Sequence, residues 1–118
     1  MEYFGYNIEE LNELYGSVKV LNNQTVIYVR ISDVNLPTGC KPSATEIILV
    51  LKDGQARPEI YVKPGIVLFN GVSPRSVSII AIEGESWLQF SYQFVWDKQQ
   101  HTLVQFVEGA LRRFALNE

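Results

Sequence analysis

Between Ser17 and Val62 four β-patterned segments follow one another with only turn and loop residues between them, and this run constrains the fold more than any other feature. Val18 and Val20 alternate with Lys19, Asn22 and Asn23 supply a turn, and Val26 to Ile31 is nearly unbroken β-branched or aromatic sequence. The first two segments therefore read as a hairpin. Asn35 to Pro42 is a loop by its prolines and glycine, and Glu46 to Leu51 is a third strand that ends at the turn dipeptide Asp53-Gly54. Pro58 to Val62 is a short fourth strand, closed by Lys63-Pro64-Gly65, with a proline near each end to limit its ladder. The expected product is a four-stranded antiparallel meander.

Helical signals bracket the meander. Asn7 is placed to cap, Glu10 stands three residues later in the capping-box position, and Tyr6 can staple onto Leu11. Ile8, Leu11 and Leu14 share one face and Gly16 occupies the place of a left-handed C-terminal cap, so a first helix is predicted at about residues 8–15. The closing helix has two possible starts, Asp97 with Gln100 or Thr102 with Gln105, of which Thr102 is the better placed. Leu103, Phe106, Val107, Ala110, Leu111 and Phe114 then recur at helical spacing and form a broad apolar face. The stretches Ile66 to Phe69 and Val77 to Ile82 either pair as a further hairpin or wrap across the sheet as an extended loop. Trp87, Phe90, Tyr92, Phe94 and Trp96 crowd an irregular segment expected to roof one end of the core. Helix, meander, aromatic segment and helix together predict an α+β fold with the helices on one sheet face.

Residues 1–118 fit a single domain, and 47% hydrophobic with 19% charged residues is the composition of a packed globule. The net charge of −3 comes from scattered groups, with no basic cluster denser than Arg112-Arg113, which argues against nucleic acid as a partner. Met1 to Tyr15 carries four glutamates and no basic leader region, and no apolar run approaches the roughly 20 residues that span a bilayer, so no membrane partner and a cytoplasmic location are expected. The single cysteine, Cys40, cannot form an internal disulfide, and with His101 far from it in sequence there is no metal-ligand spacing. Neither a metal nor a cofactor is expected.

Candidate chemistry is sparse. Cys40 lies between turn residues and Lys41, a setting expected to be exposed and mildly electropositive, yet a thiol without a base nearby in sequence reads as incidental. His101 precedes a helix cap and reads as a surface histidine. Glu83 and Glu85 flank Gly84, and although paired carboxylates can divide acid and base roles, this pair reads as a solvated turn. Gly65 and Gly71 belong to no phosphate-cradling pattern. Ser91, between Phe90 and Tyr92, is the one hydroxyl inside the aromatic segment, and without an identified base it defaults to packing or a backbone hydrogen bond.

The stretch from Leu36 to Arg113 resembles the prokaryotic E2 family E group within the ubiquitin-conjugating (E2/UBC-like, RWD-like) superfamily. Leu36-Pro37-Thr38-Gly39 looks like the family's Leu-Pro-Pro-Gly loop before the third strand, and Tyr61-Val62-Lys63-Pro64-Gly65 like its Tyr-Val-Asp-Pro segment after the fourth. Trp87-Leu88-Gln89-Phe90-Ser91 looks like its Trp-x-x-Phe-Ser stretch, and Trp96 with the closing helix matches its tryptophan and C-terminal helix. The resemblance implies a bacterial ubiquitin-like conjugation system in which this domain works with an E1-like adenylating enzyme and a ubiquitin-like protein. It also implies a catalytic cysteine after the fourth strand, but Cys40 lies before the third and no cysteine follows Val62. The family's Phe-Ser-Arg-His-Trp run reads Phe90-Ser91-Tyr92-Gln93-Phe94 here, with Tyr92 and Gln93 in place of the arginine and histidine. Two expectations stay open: Ser91 forms an oxyester, or the fold persists for partner binding through Trp87, Phe90, Gln93 and Trp96. A non-catalytic RWD-like scaffold outside any conjugation pathway is the alternative, and a free-standing small-ligand enzyme comes third.

Overall fold

In a computed structural model the chain is an α+β protein whose two helices pack on a six-stranded antiparallel sheet. Residues 2–3, 6–15, 17–23, 25–54, 57–71, 76–82, 84–90 and 100–116 are described. The elements in chain order are β1 (Glu2–Tyr3), β2 (Tyr6–Asn7), α1 (Glu9–Tyr15), β3 (Val18–Asn23), β4 (Val26–Asn35), β5 (Ala44–Lys52), β6 (Glu59–Val62), β7 (Ser76–Ile82), β8 (Glu85–Phe90) and α2 (Leu103–Leu116). β1 and β2 form a separate two-stranded ribbon, and the main sheet runs β3-β4-β5-β6-β8-β7.

The expected four-stranded sheet thus has six strands. β7 and β8 form a hairpin, and β8 adds onto β6 through Tyr61↔Gln89 and Val62↔Leu88. Within the open stretch 66–86, Ile66 to Phe69 is loop and Ser76–Ile82 is strand, while residues 72–75 and 83 lie outside the described residues. The hairpin was hard to foresee because its pairing with β6 joins segments more than 20 residues apart, a separation no local pattern reports. Asn22 and Asn23 do not turn; β3 continues through them and Asn23 pairs with Val26. β4 runs past Ile31 to Asn35 through a bulge between Ile31 and Val34, where Asp33 takes a φ of 57°.

Strand alternation divides the sheet into two faces. Ile27, Val29 and Ile31 of β4, Ile47, Leu49 and Leu51 of β5, and Ile60 and Val62 of β6 belong to the core beneath the helices. Leu11 of α1 and Phe106, Val107, Ala110 and Phe114 of α2 fill that core from the other side. At the entry to α1 the Asn7 Oδ1 accepts the Glu9 N–H at 2.9 Å, and the N–H of Asn12 donates to the Ile8 carbonyl. Tyr6 and Leu11 are both buried in the helix-side core. Gly16 and the alternative start at Asp97 lie outside the described residues.

α2 begins at a reciprocal capping box. The Thr102 Oγ1 accepts the Gln105 N–H at 3.1 Å, and the Gln105 Oε1 accepts the Thr102 N–H at 2.8 Å. Thr102→Ala should lower the unfolding free energy by about 1 kcal/mol, measured by urea denaturation, because the Gln105 N–H loses its acceptor. An unchanged midpoint would show that α2 is held by its apolar face alone.

Candidate functional site

The loop that carries Cys40 is fastened at both ends. The Leu36 N–H donates to the Ser43 carbonyl at 2.8 Å, and the Cys40 N–H closes a turn onto the Pro37 carbonyl at 3.2 Å. Lys41 and Val67 exchange two backbone hydrogen bonds, each of 2.8 Å, which zip this loop to the segment after β6. Gly39 has a φ of 96°, and a β-carbon there would lie 2.7 Å from the Phe69 Cβ, so glycine is needed both for the backbone and for the close approach.

Cys40 is not exposed, contrary to the expectation from its turn-rich surroundings. It is 6% accessible and belongs to the helix-side core. Burial pushes its thiol above the ordinary value, and a backbone hydrogen bond from Phe69 offsets only part of this. A thiol so placed favours the uncharged form and is a poor nucleophile.

The opposite face of the sheet carries a second cluster, in which Ile48, Val50, Tyr61, Ile82 and Trp87 are buried with Tyr28 and Ile80 beside them. Trp87 does not belong to an irregular segment that roofs one end of the core. It stands in β8 with 0% of its surface accessible, on the face away from the helices. Its cross-strand neighbour is Ile80, and the parity of β8 places Glu85 and Gln89 on its side. The indole Nε1–H finds no hydrogen-bond partner among the described residues.

Two cations lie over this indole, and two carboxylates pair with them. The Arg30 guanidinium lies 5.3 Å from the ring centroid and the Lys63 ammonium 4.5 Å, both within cation–π range. Arg30 grips Glu46 as a fork, Nε to Oε2 at 2.8 Å and Nη2 to Oε1 at 3.1 Å, and its Nη2 also reaches Glu85 Oε2 at 3.2 Å. Lys63 donates to Glu85 and lies 3.9 Å from Glu46, and the Ser32 hydroxyl donates to Glu46 at 3.2 Å. The hydrogen bond from Arg30 holds the Glu46 carboxyl below the usual carboxylate range, and the one from Lys63 does the same for Glu85. Two carboxylates kept ionised by two cations are unsuited to general acid chemistry, and with those cations they make a patch of alternating charge on the outer face. Further along the same face Lys52 and the Tyr61 hydroxyl both donate to Glu59, at 3.2 and 2.7 Å. Burial, reinforced by Glu59, raises the Tyr61 phenol pKa.

Of the residues singled out in sequence, Ser91, Gln93 and Trp96 lie outside the described residues, and Phe90 is described only as the last residue of β8. Trp87 is wholly buried, so a partner would meet the charged groups above it and not the indole. Glu85, read as one half of a solvated turn, is instead tied to Lys63 and Arg30. Arg30 and Glu46 were missed. Their only sequence signal is parity: each is a charge at an even position next to a run of apolar odd positions, Ile27, Val29 and Ile31 in β4 and Ile47, Leu49 and Leu51 in β5. No family model matches the chain, and no curated protein or solved structure matches it significantly. Among the described residues no helix is long and apolar enough to cross a membrane.

Proposed function

We propose that this chain is a partner-binding domain of the ubiquitin-conjugating type, working in the cytoplasm of a bacterium within a ubiquitin-like conjugation system and without thioester chemistry of its own. The observation that carries this reading is the state of Cys40, the chain's one thiol, which is sealed in the core with its ionisation suppressed. The conjugation context rests on the four sequence pieces between Leu36 and Trp96. An N-terminal helix, successive antiparallel strands and a C-terminal helix on one sheet face are compatible with it. The partners are then an E1-like adenylating enzyme and a ubiquitin-like protein, held reversibly. The outer sheet face offers them the charge pattern of Arg30, Glu46, Lys63 and Glu85.

Intact mass spectrometry tests this reading. Wild type, Cys40→Ala and Ser91→Ala are incubated with ATP in a bacterial lysate whose E1 activity is confirmed separately. The expected result is no covalent adduct on any of the three. An adduct lost only in Cys40→Ala would overturn the reading in favour of a thioester carrier. One lost only in Ser91→Ala, and removed by mild hydroxide, would establish an oxyester carrier instead. If there is no adduct, and neither purified E1-like enzyme nor ubiquitin-like protein binds in titration, the chain is a scaffold outside conjugation.

A further inference from the structure

The two edges of the sheet are built differently. β3, at one edge, presents the exposed charge of Lys19 in mid-strand, the kind of group that discourages strand addition. β7, at the other, reads Ser-Val-Ser-Ile-Ile-Ala-Ile over Ser76–Ile82, with no charge and no proline. Beyond its ladder with β8 it pairs with no strand among the described residues, and Ile79, 68% accessible, and Ala81 are exposed together on one face. A bulge between Ser76 and Ser78 is confined to the start of the strand, and Ser78 to Ile82 pairs with β8 without interruption.

We propose that β7 is a self-association edge, where two copies of this chain pair antiparallel about a two-fold axis at Ile80 and join their six-stranded sheets into one. In that register Ile79 of each copy stands opposite Ala81 of the other, so the two exposed apolar positions cover each other. Ser78 stands opposite Ile82, and every paired position lies within the uninterrupted stretch. A strand without charge brings no like charges together when it meets itself. A charged extended peptide from another protein would find no matching charge along β7, which favours a second copy as the occupant.

Sedimentation equilibrium over a range of concentrations tests this, with hydrogen exchange of the β7 amides as a second readout. A reversible monomer–dimer equilibrium is expected, together with β7 exchange that slows as concentration rises. Ile79→Lys combined with Ala81→Lys sets lysine opposite lysine twice and should weaken the dimer by about 100-fold or more. Lys19→Ala, on the opposite edge, should leave it unchanged. A chain that stays monomeric at every concentration overturns the proposal. So does a dimer whose β7 amides exchange at the same rate throughout, or one unaffected by the paired lysines.

Discussion

Trp87→Ala should lower the unfolding free energy by about 3–5 kcal/mol, the largest loss expected from any single change on the outer face of the sheet. Trp87 has no accessible surface although, among the described residues, the sheet face it stands on carries no helix. Its cover is made by neighbouring side chains: Ile48, Val50, Tyr61 and Ile82 around it, Arg30 and Lys63 above it. Truncation leaves a cavity that five strands' worth of backbone cannot collapse into, and it withdraws the ring on which both cations rest. Trp87→Phe should cost less than half as much. It keeps an aromatic face and removes an indole N–H that has no partner among the described residues, a group whose unmet hydrogen bond costs about 1–3 kcal/mol. Urea denaturation followed by far-ultraviolet circular dichroism distinguishes the cases. A loss below about 1 kcal/mol for the alanine variant would mean that the outer cluster is not a second core.

Arg30→Ala should cost about 2 kcal/mol near neutral pH, and the difference from wild type should shrink in acid. Arg30 is the group that ties β4 to β5 through Glu46 and to β8 through Glu85, with only 19% of its side chain accessible. Charge-assisted hydrogen bonds of this kind contribute about 1.5–3 kcal/mol when shielded, and the 30% accessibility of the Glu46 side chain lowers the expectation within that range. The pH dependence follows from the carboxylates. Glu46 is depressed below its ordinary value of 4.5 when folded, so its stabilisation is present above that value and is lost as pH falls through the lower folded pKa. Glu85 shifts in the same direction, but chiefly through Lys63, so the variant should retain its share of the acid sensitivity. Denaturant midpoints for the two proteins should therefore converge below about pH 4.5 without meeting, because Arg30 also covers Trp87. A gap independent of pH would assign the whole effect to packing over the indole.

Much of the fold was legible because its signals are local. The Thr102–Gln105 box needs only four residues, and it starts α2 where the spacing placed it. Asp53-Gly54 turns, with Gly54 at a φ of 84°, since the dipeptide carries its own conformational preference. The candidate site was far less legible. The network over Trp87 draws on Arg30, Glu46, Lys63 and Glu85, and the Arg30–Glu85 contact alone spans 55 positions. Each member taken singly looks like an ordinary surface charge.

Cys40 marks the same boundary from the other side. Its neighbours, Gly39 and Pro42 among them, announce a loop, and a loop it is. What buries the thiol is the Val67 segment zipped against that loop, together with the close approach of Phe69 to Gly39, and neither is written in the residues around position 40. By itself the sequence determined the class of fold, the positions of β3 to β6 and of both helices, and which residues of those strands share a side, because periodicity and capping act within a few residues. The tertiary structure alone decided which side meets the helices, that the β7–β8 hairpin extends the sheet beyond β6, that Trp87 is buried away from the helices, and that β7 is the edge strand of the sheet among the described residues. Those outcomes depend on register and pairing between distant segments, where the energy lies in burial that no single segment can achieve.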